Sequence, residues 1–140
     1  MVVNKKWSKN MFKKILMFSF MVVALNFSGA FAGDVEKGKK LYKKCAACHN
    51  AASGAKHKTG PNLWGIYGAK AAIQEGYKYS DWLKGAGIEW NDEALAAWIS
   101  KKKEKAAYFG KDVKKSKMIF AGLKKPEQIA DLIAYLKSLK

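Results

Sequence analysis

Apolar residues return at helical spacing in three parts of the chain. Val35, Leu41, Tyr42 and Cys45 share one face if the chain coils from Asp34 to about Ala47. Asp34 can cap that helix and Glu36 suits its first turn. Leu95, Trp98 and Ile99 form a second inward face behind Asn91, with Asp92 and Glu93 in the opening turn. Ile129, Leu132, Ile133 and Leu136 make an i, i+3, i+4, i+7 stripe that opens on Pro126 and Glu127 and closes on Lys137 and Lys140. Ser80 can cap a short further helix over Asp81 to Lys84, ended by Gly85 and Gly87. Two long stretches carry no such period. Residues 50–76 are punctuated by Gly54, Gly60, Pro61, Gly65 and Gly68 and read as loop. The lysine-rich stretch 101–117, with Gly110 and with Tyr108 and Phe109 as its only aromatics, reads as a surface loop with room for a helical turn. No stretch alternates as a strand does and no internal repeat occurs, so the pattern predicts an all-α fold of helices and loops.

Two features of this plan ask for an explanation. Gly38 is a poor residue for the middle of a helix. Either it is a tolerated weakness or another helix passes close over it. The loop over 50–76 is long for a small domain and needs something to wrap around.

At 140 residues the chain is long enough for one domain. Its net charge of +16 points to acidic partners, which could be nucleic acid, anionic lipid or an acidic protein face. The N-terminal stretch narrows that choice. Lys5, Lys6, Lys9, Lys13 and Lys14 make a positive start, Ile15 to Leu25 is apolar apart from Ser19, and Ala30-Phe31-Ala32 fits a small-x-small cleavage site. Residues 1–32 therefore read as a secretory signal peptide and residues 33–140 as the domain, with no stable membrane insertion after cleavage; the apolar run is short for a retained anchor. Removing 32 of the 140 residues leaves 108, and removing five lysines with no acid leaves 22 basic against 11 acidic residues, a net +11. Export places the domain in the periplasm and argues against nucleic acid as the partner. It also leaves Met118 as the only methionine of the mature chain.

The chemistry is concentrated in Cys45-Ala46-Ala47-Cys48-His49. Two cysteines three apart with histidine next is the attachment pattern of c-type haem. Each thiol adds to one vinyl group, and the adjacent His49 supplies an axial imidazole. A thioredoxin-like pair would follow a strand, yet Lys37 to Lys44 is polar and helical in character. A zinc site would need further ligands, and the chain has no other cysteine and only His57 as a second histidine. A core this small is marginal without such a group, so the apoprotein is expected to fold poorly.

With these residues in view, the domain from about Asp34 to Leu139 resembles the class I cytochromes c, the small mitochondrial-type carriers and their bacterial relatives. Besides the haem motif, the likeness rests on His57-Lys58-Thr59-Gly60-Pro61-Asn62-Leu63, Gly87-Ile88-Glu89-Trp90 and Lys117-Met118-Ile119-Phe120-Ala121-Gly122. The resemblance implies a small cytochrome c fold around one haem c, linked to Cys45 and Cys48 and ligated by His49 and Met118. It implies that the Pro61 carbonyl holds the imidazole N–H, that Tyr79 and Trp90 donate to a propionate, that Trp98 lies beside the sulfur ligand, and that Ser116 sits near a propionate. Gly38, Tyr42, Leu132 and Tyr135 match the family's crossing of first and last helices, and His57 matches a histidine that ties loops together. The sequence departs from the family in two places. Ala69, followed by Lys70, stands where an arginine commonly serves a propionate, and the stretch between Trp98 and Met118 is about seven residues longer than the mitochondrial pattern and lacks its proline.

The function implied is a soluble, monomeric one-electron carrier rather than an enzyme. Its partners would be acidic docking faces of a quinol–cytochrome c oxidoreductase and of a terminal oxidase or similar acceptor, met through Lys40, Lys44, Lys58, Lys117, Lys124 and Lys125. The rival readings are a peroxidase-like haem enzyme and a haem-based ligand sensor, both of which need an open or labile sixth position. A disulfide carrier without haem is more distant.

Overall fold

The computed structural model describes residues 32–140; the signal segment read over 1–32 lies outside the described residues but for Ala32. Among the described residues five α-helices and one 3₁₀ turn follow in order: α1 Val35–Ala46, α2 Asp81–Gly85, α3 Asp92–Ile99, α4 Lys102–Phe109, the 3₁₀ turn Lys111–Lys115, and α5 Pro126–Ser138. Among the described residues the only β-type pairing is two isolated bridges, Lys70 with Glu89 and Ser100 with Leu123. The fold is all-α.

Local chemistry accounts for the helix starts. The Asp34 carboxylate accepts from the Lys37 amide at 2.9 Å, Ser80 Oγ from Leu83 at 3.2 Å and Asn91 Oδ1 from Ala94 at 2.9 Å, which satisfies donors that a helix's first turn leaves open. Pro126 opens α5, where its missing N–H costs nothing.

The first and last helices cross, and Gly38 is the reason they can. A Cβ there would land on the Asp131 carbonyl and within 2.7 Å of Tyr135 Cβ. Tyr42 packs on Tyr135 with ring centroids 5.3 Å apart, Leu132 is 1% exposed, and the Asp34 amide donates to Asp131 Oδ1 at 2.7 Å across 97 residues of chain. The low helix propensity of Gly38 is thus offset by close backbone packing.

One expectation needs correcting. The stretch 101–117 is no surface loop: it forms α4 and the 3₁₀ turn, with Lys105 and Val113 buried. Lysine and alanine are good helix formers, but the segment lacks an aliphatic stripe. Its inward side is built from the Lys105 stem, Ala106 and Phe109, packed on the core of α3. Gly110, at φ +81°, ends α4 in a backbone conformation open to glycine.

Candidate haem site

A cavity of about 330 Å³ lies between the C-terminal end of α1, the loop after it, α3, α5 and the segment around Met118. That is within the range of sites that bury small molecules. Its walls are mostly apolar: Leu63, Ile66, Leu83, Ile99, Leu132 and Leu136. Cys45, Cys48, His49, Pro61, Tyr79, Trp90, Trp98, Ser116 and Met118 all line the same space, so the fold brings together every site residue named from the sequence.

The first helix carries Cys45 into the cavity wall. The chain then turns tightly, with the Cys48 and His49 amides both donating to the Cys45 carbonyl at 3.0 and 2.9 Å. Burial, followed by Cys48 nearby, pushes the Cys45 thiol up to about 11. His49 is buried, and its Nδ1 lies 2.7 Å from the Pro61 carbonyl oxygen. A carbonyl only accepts, so Nδ1 carries the proton and Nε2 keeps a free lone pair. Burial draws the imidazole's pKa below its ordinary value, against the Pro61 bond, which raises it. The ring is held neutral, in one tautomer and one orientation.

Three supports of this arrangement were not singled out by the sequence reading. Gly60 lies against the imidazole, and a Cβ there would sit 2.6 Å from Nδ1 and 2.7 Å from Nε2. Tyr42 Oη donates to the His49 carbonyl at 2.7 Å, and Lys58 Nζ donates to the Ala46 carbonyl at 2.8 Å. The only signal for Gly60 was its place beside Pro61 in the matched segment. His57 is doubly engaged elsewhere. Its Nδ1 accepts from the Asn62 amide at 3.0 Å, which leaves Nε2 to donate to the Glu75 carbonyl at 2.7 Å, so it ties two parts of the long loop together.

Met118 enters from the segment after the 3₁₀ turn. Trp98 Nε1 donates to its sulfur at 3.0 Å, and the Met118 amide donates to the Ser116 carbonyl at 2.8 Å. Lys117, just before it, takes φ +61°, a strained value for a residue with a side chain. Trp98 is gripped by other rings: Trp90 edge-on at 5.0 Å, Phe109 edge-on at 5.5 Å and Trp82 stacked at 6.3 Å. Burial raises the Tyr79 phenol above its ordinary value. Lys70 lines the cavity beside Ala69, so a cation is available close to where the family's arginine is missing.

These donors suit a metal macrocycle tethered by its rim. Two thiols stand together at one wall, a neutral imidazole is aimed by a carbonyl, a thioether is steadied by an indole N–H, and the space between is apolar. Gly60 clears the room that the imidazole needs. A small helical domain organised this way has the architecture of a covalent haem protein.

Comparison with known proteins leads to the same place. The family model described as cytochrome c matches residues 35–140. Cytochrome c of Chlamydomonas reinhardtii is 45% identical over 112 residues, covering 79% of this chain and 94% of that protein. Cytochrome c2 of Blastochloris viridis is 38% identical over 122 residues, covering 87% and 91%. Among solved structures, cytochrome cH from Methylobacterium extorquens superposes with a TM-score of 0.65 at 39% identity, over 76% of this chain and 99% of that one. The chain belongs to the cytochrome c family. Its cofactor is covalently bound haem c, and its work is electron carriage.

Proposed function

We propose that this chain carries one electron at a time on a haem held by thioethers from Cys45 and Cys48, with His49 and Met118 as axial ligands. The observation that carries the reading is the 3.0 Å hydrogen bond from Trp98 to the Met118 sulfur, made in the wall of the cavity that also contains His49. When bound, the haem supplies the one-electron redox couple. The chain's own residues do the rest. Pro61 and Gly60 fix the imidazole, Trp98 holds the thioether, and the apolar walls exclude water, which favours the reduced state and limits reorganisation. Trp90, Tyr79, Ser116 and Lys70 are the groups that would receive the propionates.

An axial methionine leaves no vacant position for peroxide or a gaseous ligand, which sets this reading against the peroxidase and the sensor. A spectrum of the matured protein decides between them. Low-spin iron with the weak methionine-to-iron charge-transfer band in the ferric state is expected, and its loss in Met118→Ala. High-spin iron in the parent would overturn the ligation. The thioethers have their own check: haem should stay on the denatured polypeptide, and haem extracted by mild acid would disprove them.

The same reading places the mature domain in the periplasm after cleavage behind Ala32, as a monomer shuttling from a membrane quinol–cytochrome c oxidoreductase to a terminal oxidase or similar acceptor. Among the described residues no helix is long and apolar enough to cross a membrane. At the cavity's rim Ile119 is fully exposed and Ile73 is 55% exposed, with Lys44, Lys70 and Lys117 also bordering the cavity. An apolar contact beside basic side chains suits brief docking on an acidic face.

A further inference from the structure

Lysine is rarely buried without a partner, yet Lys105 is 7% exposed. Its ammonium lies 4.4 Å from the centroid of the Trp98 ring. Among the described residues no carboxylate is paired with it. On its own helix α4 the charged or titratable groups are Lys102, Lys103, Glu104 and Tyr108. The packed elements add Asp92 and Glu93 on α3, and Lys111, Asp112, Lys114 and Lys115 on the 3₁₀ turn. Of those acids, Asp92 is taken by Lys137 at 2.7 Å and Asp112 by Lys115 at 3.2 Å. The partner of Lys105 is the indole face.

We infer that Lys105 is a positioning residue for the redox centre: through Trp98 it raises the midpoint potential and makes that potential depend on pH. The inference rests on the reading of Met118 as an iron ligand. Two effects act with the same sign. A cation over the ring draws π density from the indole and makes Nε1–H a stronger donor to the Met118 sulfur. A sulfur that accepts a stronger hydrogen bond gives less density onward, which favours the ferrous state. Through space, a buried positive charge also favours the state with one positive charge fewer. Burial draws the lysine's pKa down to about 8, so both effects are lost together within an accessible pH range.

Linkage makes the coupling reciprocal. One electron arriving from the donor raises the proton affinity of the Lys105 amine. In the window around its pKa, reduction therefore takes up part of a proton from water onto Nζ, and oxidation returns it. The residue lies on α4, within the stretch where this chain is longer than the mitochondrial pattern.

The test is a redox titration of the holoprotein from about pH 6 to about pH 10, on the parent, Lys105→Met and Lys105→Arg. The ferric methionine–iron band is recorded alongside. The parent's potential should step down as pH rises through about 8, with the band intact. Lys105→Met should start lower at the acid end and show no step. Lys105→Arg should keep the higher value and show no step, because a guanidinium does not titrate there. A Met variant with the parent's potential and the parent's step would overturn the inference, and so would a step that survives in the Arg variant. If Lys105→Met fails to fold, the Arg variant decides alone. A parent without the band would instead sink the assignment of Met118, so the two failures are distinguishable.

Discussion

At Gly60 a single hydrogen atom decides whether the imidazole of His49 has room. Gly60→Ala puts a methyl against the ring. Either the ring or the loop must move, and overpacking of this kind costs about 1–3 kcal/mol. The expected outcome is a lower midpoint in chemical denaturation, together with a ferric spectrum showing weakened proximal ligation; a spectrum and midpoint equal to the parent's would show that the loop yields freely. Much of the placement at this scale was legible in the sequence: Cys45, Cys48 and His49 form one motif and line one cavity, and Pro61 and His57, which hold the imidazole and the long loop, fall in one short segment. Gly60 lies against the imidazole and Tyr42 donates to the His49 carbonyl, through contacts between segments that no spacing rule relates. Lys105 was invisible for another reason: a lysine in a run of lysines carries no mark that it is the one turned inward.

The crossing of α1 and α5 is the most extensive packing between elements among the described residues, and it depends on the absence of a side chain at Gly38. Gly38→Ala should gain the usual helix propensity of about 1 kcal/mol yet lose more, because the new methyl meets backbone that cannot swing aside. A net fall in thermal stability is expected, measured by circular dichroism on the holoprotein; a net rise would mean the helices can separate at little cost. The element that sequence patterning missed, α4, makes its own prediction. Lys105 is the group whose folded-state pKa, about 8, lies below its ordinary 10.5 because burial penalises the charge. The unfolded chain then binds more protons than the folded one between those values, so this group's contribution to stability rises with pH across that window. Lys105→Met lacks it. The stability difference between parent and variant should therefore shift in the parent's favour from neutral pH to about pH 10, as read from denaturant melts at each pH, and a difference independent of pH would refute the buried-cation picture. Helix α4 carries no apolar stripe in the sequence because its inward face is part lysine stem, polar by residue type though buried along its methylenes.

Over the whole molecule, charge is the dominant feature: 27 basic against 11 acidic residues along the full chain. Long-range attraction speeds encounter without tightening the complex. Reversing Lys44 and Lys117 to Glu, both at the cavity's rim, should slow bimolecular electron transfer to an acidic partner and flatten its dependence on salt. The Debye length shrinks to about 8 Å at physiological ionic strength, so the parent should lose more rate than the variant as salt is raised. Equal salt dependence, with the haem spectra unchanged, would mean these lysines only solvate the surface. The all-α architecture was readable at this scale from the three helical stripes, but the closure of the molecule was not, since it joins residues at opposite ends of the domain. That closure has a consequence in time. Asp34 and Asp131 meet across 97 residues, and Leu132 and Leu136 of the last helix form part of the cavity wall. A chain emerging N-terminus first therefore presents its two thiols long before the wall that will cover them exists. Cys45 and Cys48 would then be open to the cofactor before the last helix could close over them.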